Sequence, residues 1–211
     1  MLELGLKFTA AYLLGSVLGS LLVGQLRGGI DIRKLGSGNA GGTNALRTQG
    51  KVFALLVMVI DVGKGVFPVM IFPTLSIPGI GIDESVSREV VAYSVGFAAV
   101  LGHVYPLWYN FRGGKGGATA AGVLCVVAPG LALPIVVGWF AIILITGFVG
   151  LSTIAAAVGA AACVGITGLP RDYRLFVLAV LIALLIVYTH RGNISRMLSG
   201  TENRVSLFRS G

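Results

Sequence analysis

Long apolar segments follow one another along almost the whole of this chain, separated by short polar stretches. They lie at 4–25, 52–72, 89–108, 118–128, 131–148, 151–169 and 173–189. A bilayer core of about 30 Å is crossed by about 20 helical residues. Mean hydropathy is +0.92 and 11% of the residues are charged, against roughly 25% in soluble domains. The pattern excludes a soluble or disordered chain and predicts an all-α, polytopic transmembrane helix bundle forming one domain over residues 1–211.

Basic residues decide how many segments cross the membrane. The fourth segment is short and Pro129-Gly130 separates it from the fifth, so residues 118–150 form either one long span or a helical hairpin. Of the 16 basic residues, eleven lie in two loops and the tail: Arg27, Arg33, Lys34, Arg47, Lys51, Arg112, Lys115, Arg191, Arg196, Arg204 and Arg209. Only a hairpin places all eleven on the cytoplasmic side, as the positive-inside rule requires. We therefore predict seven spans, with the N-terminus outside and the C-terminus in the cytoplasm.

Charge and cysteine content exclude several partners. The net charge of +8 arises from basic residues in short loops between spans, so we expect no nucleic-acid partner. Cys125 and Cys163 lie inside apolar segments and are interpreted as small hydrophobic residues. With two cysteines, two histidines and few loop carboxylates, we expect no metal site.

Two pairs of small residues are spaced four apart inside the predicted spans. Gly15 and Gly19 lie in the first, and Ala155 and Gly159 lie in the sixth. Small residues at this spacing let helix backbones approach closely in membranes. We therefore expect close helix packing at both pairs.

A first polar cluster covers residues 36–47. Glycines let backbone N–H groups approach a ligand, and successive N–H groups form anion-binding concavities. Side-chain donors accompany them, and Arg47 offers a two-pronged contact for phosphate. The candidate residues are Gly36, Ser37, Gly38, Asn39, Thr43, Asn44 and Arg47. The alternative is a flexible loop without a ligand.

A second polar cluster runs from His103 to Thr119 and contains Gly-Gly-Lys-Gly-Gly around Lys115. The run presents an ammonium group where the fourth span begins, and a helix N-terminus favours anions. Gly114, Lys115 and Gly116 are the candidate binding residues, with His103 beside them. The run is not a nucleotide P-loop, because Gly116 follows the lysine and no strand precedes it. A basic loop that only sets orientation is the alternative.

A third polar cluster begins where the seventh segment ends. If that helix continues, His190, Asn193 and Arg196 lie three apart on one face, with Glu202 nearby. His190 is a candidate for proton transfer at the interface. A basic helix that binds lipid headgroups is the alternative.

Asp61 and Lys64 are ionisable residues inside the second predicted span. Such groups usually face the interior of a bundle, and their spacing lets them pair. The sequence leaves two interpretations open, a structural ion pair and a component of the site.

The three clusters together resemble a known family. There is no G-x-S-x-G elbow, and neither His103 nor His190 begins a His-x4-Asp motif, because Trp108 and Ser195 occupy those positions. Residues 36–47, 103–119 and 190–202 resemble the three signature motifs of the bacterial acyl-phosphate:glycerol-3-phosphate acyltransferases. The resemblance covers nearly the whole chain.

This resemblance implies a reaction and a location. A long-chain acyl phosphate gives its acyl group to the 1-hydroxyl of sn-glycerol 3-phosphate, forming lysophosphatidic acid and phosphate without a cofactor. The enzyme is expected in the bacterial cytoplasmic (inner) membrane, with its site facing the cytoplasm. A soluble acyl-phosphate synthase is the expected supplier of the donor.

The resemblance also implies roles for the residues. Arg47 and Lys115 clamp phosphate, and His190 and Asn193 surround glycerol 3-phosphate. Ser37, Asn39, Thr43, Asn44 and the loop amides hold the other phosphate or the developing oxyanion. The catalytic residues are predicted to be His190, Ser37 and Lys115. The base is either His190 or a phosphate oxygen of the donor.

A membrane transporter for an organic phosphate is the alternative function. It shares the spans and the basic residues. Transporters usually contain inverted repeats with sites near the middle of the membrane. Here the polar clusters gather at one predicted face and no repeat is visible, which favours the enzyme.

Overall fold

The computed structural model describes residues 1–168 and 172–205 and confirms an all-helical membrane protein. Within these residues the chain forms ten α-helices and no β-strand. The helices are α1 Leu2–Gly15, α2 Gly19–Leu26, α3 Gly42–Gln49, α4 Lys51–Ile71, α5 Arg88–Val104, α6 Gly117–Val127, α7 Ala132–Thr146, α8 Val149–Gly168, α9 Tyr173–Thr189 and α10 Arg191–Leu198.

Six of the seven predicted apolar segments each correspond to one helix, whereas the first, 4–25, is divided between α1 and α2 by a break at residues 16–18. Four helical stretches are long and apolar enough to cross a membrane, or up to six if each of two bent pairs counts as one span. The bent pairs are α1 with α2, at 47°, and α9 with α10, at 53°. Helix α6 has only 11 residues, so its crossing of the membrane stays a prediction. Residue 169, Arg171 and Arg209 lie outside the described residues.

The described residues form two compact units, Met1–Val127 and a second that begins at Ala128. In the first, α1 packs on α5, and α4 packs on both α5 and α6. A Cβ on Gly15 would lie 2.2 Å from the Ala99 carbonyl oxygen, and one on Gly102 would lie 2.2 Å from that of Tyr12. A Cβ on Gly19 would lie 3.0 Å from Asp61 Oδ1 and 3.0 Å from the carbonyl oxygen of Val57, which is also a tight approach. The close approach predicted at Gly15 and Gly19 is therefore confirmed.

In the second unit, α8 packs against α7 and α9. A Cβ on Gly159 would meet nothing within 4 Å, so the predicted close packing at this residue is wrong. Gly159 and Ala155 instead line an apolar groove between α7 and α8, together with Pro134, Gly138 and Cys163. Small side chains leave this groove open. The organisation of the chain as a single domain stays a prediction.

A cluster of charges ties the start of α1 to the segment between α4 and α5. The buried carboxylate of Glu3 accepts bonds from Lys7 Nζ at 2.6 Å and Arg88 Nη1 at 2.7 Å. Both cations also donate to the carbonyl of Pro73. This end of the unit therefore holds its basic groups in ion pairs.

Candidate functional site

The first polar loop is built around Asn44, which belongs to α3 and is 2% exposed. Its side-chain nitrogen donates to the carbonyls of Ile32, Leu35 and Asn39 at 2.9–3.0 Å. Its oxygen accepts the N–H of Ser37 at 2.9 Å. The side chain thereby holds the loop in one conformation, and all its polar atoms bond within that loop.

Gly36 is required by the same geometry. Its φ is +55°, a left-handed conformation that glycine adopts without steric penalty. A Cβ at this position would lie 2.4 Å from Asn44 Oδ1. A larger residue here would displace the amide that braces the loop.

Three donor side chains of this loop face outward. Ser37, Thr43 and Arg47 are exposed. Within the described residues, the hydroxyls of Ser37 and Thr43 and the guanidinium of Arg47 make no hydrogen bond or ion pair. Asn39 is half-buried, and its side-chain oxygen accepts the N–H of Gly41 at 2.7 Å, just before α3. The loop thus presents donors around the N-terminus of a helix, where anions are favoured.

Arg33 joins the first loop to the second. Its Nη1 donates to the carbonyl of Arg112 at 3.3 Å, and its guanidinium lies 5.5 Å from the ring centre of Tyr109. Asp31 orients it through a bond of 2.9 Å to Nη2. This guanidinium lowers the pKa of Asp31, whose carboxylate in turn raises the pKa of Arg33. Two of the three clusters therefore lie at one end of the first unit, as predicted.

The second polar loop is anchored by its backbone to the end of α5. The N–H of Gly113 donates to Val104, and the N–H of Gly114 donates to His103, at 3.2 and 3.1 Å. Lys115 is half-buried between two buried glycines, directly before α6. The predicted helix start after the Gly-Gly-Lys-Gly-Gly run is confirmed.

His103 lies beneath this loop and is 2% exposed. A Cβ on Gly114 would lie 2.1 Å from its Nε2. The glycine therefore lets the loop backbone rest directly on the imidazole. The position places His103 behind the loop rather than on its outer surface.

The third cluster lies in the second unit, where the helix breaks. Helix α9 ends at Thr189 and α10 begins at Arg191, so the continuous helix considered above is interrupted at His190. His190 Nδ1 lies 2.8 Å from the carbonyl of Ile186. A carbonyl oxygen only accepts, so Nδ1 carries the hydrogen, and the neutral ring has its lone pair at Nε2.

Glu202 organises the rest of this cluster. Its carboxylate accepts bonds from Asn193 Nδ2 at 2.7 Å and from Arg196 Nε at 2.6 Å. Asn193 is buried against the start of α8, where a Cβ on Gly150 would lie 3.0 Å from it. Glu202 thus fixes how both side chains point.

Asp61 and Lys64 form a buried ion pair of 3.0 Å within α4. Lys64 Nζ also donates to the carbonyl of Val17 at 2.7 Å, and Asp61 Oδ1 accepts the N–H of Gly19 at 3.1 Å. The pair therefore satisfies backbone groups at the break between α1 and α2.

The link through Arg33 was missed from the sequence. The short spacing of Asp31 and Arg33 was its one visible signal, and that spacing is common on protein surfaces. Among the described residues, no group of three or more His, Cys, Asp or Glu side chains is placed to hold a metal ion.

Comparison with known proteins identifies relatives of the whole chain. A family model described as glycerol-3-phosphate acyltransferase matches residues 6–200. The glycerol-3-phosphate acyltransferase of Aquifex aeolicus (strain VF5) is 40% identical over 194 residues, which cover 92% of this chain and 95% of that protein. That of Azotobacter vinelandii (strain DJ / ATCC BAA-1303) is 41% identical over 192 residues, covering 91% and 94%.

Two crystal structures share the fold. Both are of PlsY (YgiH), described as an integral membrane glycerol 3-phosphate acyltransferase. The glycerol 3-phosphate form has a TM-score of 0.83 at 37% identity and covers 98% of this chain and 99% of that one. The lysophosphatidic acid form has a TM-score of 0.81 at 37% identity, covering 96% and 95%. This chain therefore belongs to the glycerol-3-phosphate acyltransferase family.

Proposed function

We propose that this protein transfers a long-chain acyl group from an acyl phosphate to the 1-hydroxyl of sn-glycerol 3-phosphate, giving lysophosphatidic acid and phosphate. The observation that carries the proposal is the pair of braced, donor-rich loops at one end of the first unit, which present Arg47 and Lys115. Family membership supports glycerol 3-phosphate as the acceptor, since relatives are named glycerol-3-phosphate acyltransferase and a related structure is described as the glycerol 3-phosphate form.

The reaction needs positioning more than covalent chemistry. An acyl phosphate is a mixed anhydride and already activated. The 1-hydroxyl oxygen attacks the carbonyl carbon, the bond from that carbon to the phosphate oxygen breaks, and phosphate leaves with the electron pair. The enzyme must hold two anions, align the reacting atoms and stabilise the oxyanion.

We assign the candidate residues to roles in contact with the substrates and to supporting roles. Arg47 and Lys115 hold phosphate, with His190 and Asn193 around glycerol 3-phosphate. The exposed hydroxyls of Ser37 and Thr43, the half-buried Asn39 and the loop backbone hold the second phosphate or the oxyanion. The glycines that form this backbone are Gly36, Gly38, Gly114 and Gly116, of which Gly38 and Gly114 already donate their N–H groups to Leu35 and His103. The buried residues Asn44 and His103 and the half-buried Glu202 support these surfaces from behind.

The proton of the attacking hydroxyl goes either to Nε2 of His190 or to a phosphate oxygen of the donor. The bond from Nδ1 to Ile186 supports the first route, because it leaves the lone pair of the neutral ring on Nε2. A His190→Gln variant that keeps kcat would exclude the ring as base. A large fall in kcat in this variant would support it.

We propose that the acyl chain lies in the apolar groove between α7 and α8. Its lining of small and apolar side chains suits an alkyl chain entering from the bilayer. Filling it with Gly159→Leu should shift preference toward shorter donors, measured as kcat/KM for a series of acyl phosphates.

For the membrane arrangement we propose seven spans in the bacterial cytoplasmic membrane, with α6 and α7 forming the hairpin and the site facing the cytoplasm. At the opposite end of the described first unit the basic side chains are Lys7 and Arg88, both bound to Glu3, whereas the two polar loops carry more Lys and Arg residues. That supports the positive-inside orientation. A soluble enzyme that makes acyl phosphates is the expected partner.

A defined-donor assay tests the function. Purified protein in detergent receives palmitoyl phosphate and glycerol 3-phosphate, and phosphate and lysophosphatidic acid are both measured. We expect equal amounts of the two products and a large loss in Lys115→Ala. Lys34→Ala is the matched control, because Lys34 is an exposed lysine outside the proposed site. Release of phosphate without formation of lysophosphatidic acid would contradict the proposal that glycerol 3-phosphate is the acceptor.

The transporter alternative gives a different result in the same experiment. A well-folded protein with neither product would count against acyl transfer. Liposomes containing the protein would then be tested for uptake of labelled glycerol 3-phosphate. We expect no uptake above that of empty liposomes.

A further inference from the structure

A break between α1 and α2 exposes backbone groups inside the first unit. The helix stops at Gly15 and resumes at Gly19, leaving the carbonyl of Val17 and the N–H of Gly19 without helical partners. Lys64 donates to that carbonyl at 2.7 Å, and Asp61 accepts that N–H at 3.1 Å. An unsatisfied backbone group at membrane depth costs several kcal/mol. The ion pair therefore stabilises the break.

The same carboxylate lies next to His103. Asp61 Oδ1 is 3.5 Å from Nδ1 of His103, and both side chains are almost fully buried. Among the described residues, Nδ1 has no partner that meets hydrogen-bond geometry. The imidazole is thus held beside the carboxylate by its packed, buried surroundings.

The opposite edge of the imidazole supports the Lys115 loop. Nε2 is so close to Gly114 that a Cβ there would lie 2.1 Å away. The carbonyl of His103 also accepts the N–H of Gly114 at 3.1 Å. Ring and backbone of one residue therefore fix the glycine that precedes Lys115.

The segment between α5 and this loop is tied to the break as well. The hydroxyl of Ser16 accepts the N–H of Leu107 at 3.2 Å. Tyr12 donates its hydroxyl to the carbonyl of Tyr105 at 2.6 Å. The segment that leads into the loop is thus bonded to the last turn of α1 through Tyr12 and to the α1–α2 break through Ser16.

We infer that His103 is a positioning residue, seated by the Asp61–Lys64 pair, which sets the place of Lys115 in the substrate site. This inference rests on the proposed role of Lys115 in binding phosphate. His103 itself is beneath the loop and 2% exposed, so it acts through Lys115 rather than on the substrate. Burying the charges of Asp61 and Lys64 in α4 costs free energy, and the seating of His103 gives this burial a function.

A double-mutant cycle tests the inference. His103→Leu keeps the bulk of the side chain but loses its polar edges, and we expect kcat/KM for acyl transfer to fall about tenfold. In a Lys115→Met background the same substitution should change kcat/KM less than twofold, because the residue through which it acts is already gone. Arg47→Met is the matched control background, where the full tenfold loss should persist.

Equal losses in all three backgrounds would overturn the inference and leave His103 a purely structural residue. Thermal unfolding in detergent is followed for every variant. If His103→Leu does not fold, His103→Gln, which retains a polar end, carries the same cycle. A Lys115→Met variant as active as the unmodified protein would also overturn it, since no lysine position would then matter.

A second measurement does not depend on activity. In a Cys125→Ala/Cys163→Ala chain, the rate at which a soluble maleimide labels Lys115→Cys reports the position of the loop. We expect the rate to change several-fold when His103→Leu is added, whereas the rate at Lys34→Cys stays constant. An unchanged rate at position 115 overturns the inference, even if the assay above shows that the proposed reaction itself is wrong.

Discussion

At the scale of single residues, the candidate site depends on polar side chains that the substrate need not touch. Asn44 bonds to four backbone groups of its own loop. The carboxylate of Glu202 likewise accepts bonds from Asn193 and Arg196 and fixes their side chains. The sequence shows that these side chains can donate or accept hydrogen bonds. Whether each of them meets a ligand or a neighbouring backbone group depends on how the chain folds. The residue types were predictable, and their division into outer and supporting roles was not.

Replacing Asn44 by alanine should lower stability. The change leaves the part-buried Ser37 N–H and three carbonyls without the buried amide that bonds them, which costs about 1–3 kcal/mol. Thermal unfolding in detergent should show a fall in Tm of several degrees. Thr43→Ala, an exposed change in the same helix, serves as the control and should leave Tm nearly constant. Equal Tm values for both variants would contradict the bracing role.

Asp31 gives a prediction for pH. Its pKa is lowered by the adjacent Arg33 guanidinium, so its ion pair stabilises the protein above the ordinary carboxyl pKa of about 3.9. That stabilisation is lost as pH falls through the lowered pKa. Asp31→Asn should therefore reduce Tm slightly at pH 7, by an amount corresponding to at most about 1 kcal/mol. Well below pH 3.9 the two proteins should unfold alike.

The control for this experiment is Glu84→Gln. Glu84 is exposed, and within the described residues it has no ion-pair partner. Its Tm difference should stay the same at both pH values. A Tm difference for Asp31→Asn that persists at low pH would show that the carboxylate charge is not what stabilises the loop.

At the scale of helices, glycines decide where the elements of the first unit touch. Apolar periodicity and length were enough to predict every long helix. The interruptions at residues 16–18 and at His190 were not predicted, because neither contains proline and both continue an apolar or mixed pattern. The backbone groups at the first break bond to Asp61 and Lys64 of α4, which are distant in sequence.

Two glycines of α1 should respond oppositely to alanine. At Gly15 the new Cβ would lie 2.2 Å from the carbonyl oxygen of Ala99, so α1 and α5 must separate and Tm should fall markedly. At Gly5 nothing lies within 4 Å, and the higher helix propensity of alanine should stabilise by up to about 1 kcal/mol. A Gly15→Ala protein as stable as Gly5→Ala would contradict close packing of these helices.

At the scale of the whole molecule, the sequence predicted the membrane class, the helical content and the family. It also placed the first two polar loops at one end, which the contact of Arg33 with Arg112 confirms. The predicted orientation in the membrane rests on the distribution of Lys and Arg residues. This distribution acts when the chain inserts into the bilayer and does not determine how the helices pack against one another. The number of spans therefore depends on α6, whose 11 residues rise about 16 Å.

Labelling of single cysteines should decide whether α6 crosses the membrane. In a Cys125→Ala/Cys163→Ala chain, cysteines are introduced at four exposed positions: Lys34, Glu84, Gly130 and Asn203. Seven spans place positions 84 and 130 outside, where a membrane-impermeant maleimide labels them on intact cells. Positions 34 and 203 should react only after permeabilisation. If α6 turns back without crossing, every later helix is inverted, so position 130 becomes protected and position 203 reactive. The two arrangements differ in the labelling of positions 130 and 203, whereas positions 34 and 84 react alike in both and serve as internal controls. The reversed pattern at 130 and 203 would reject the seven-span arrangement. It would place the third cluster, around His190, on the opposite face of the membrane from Lys115.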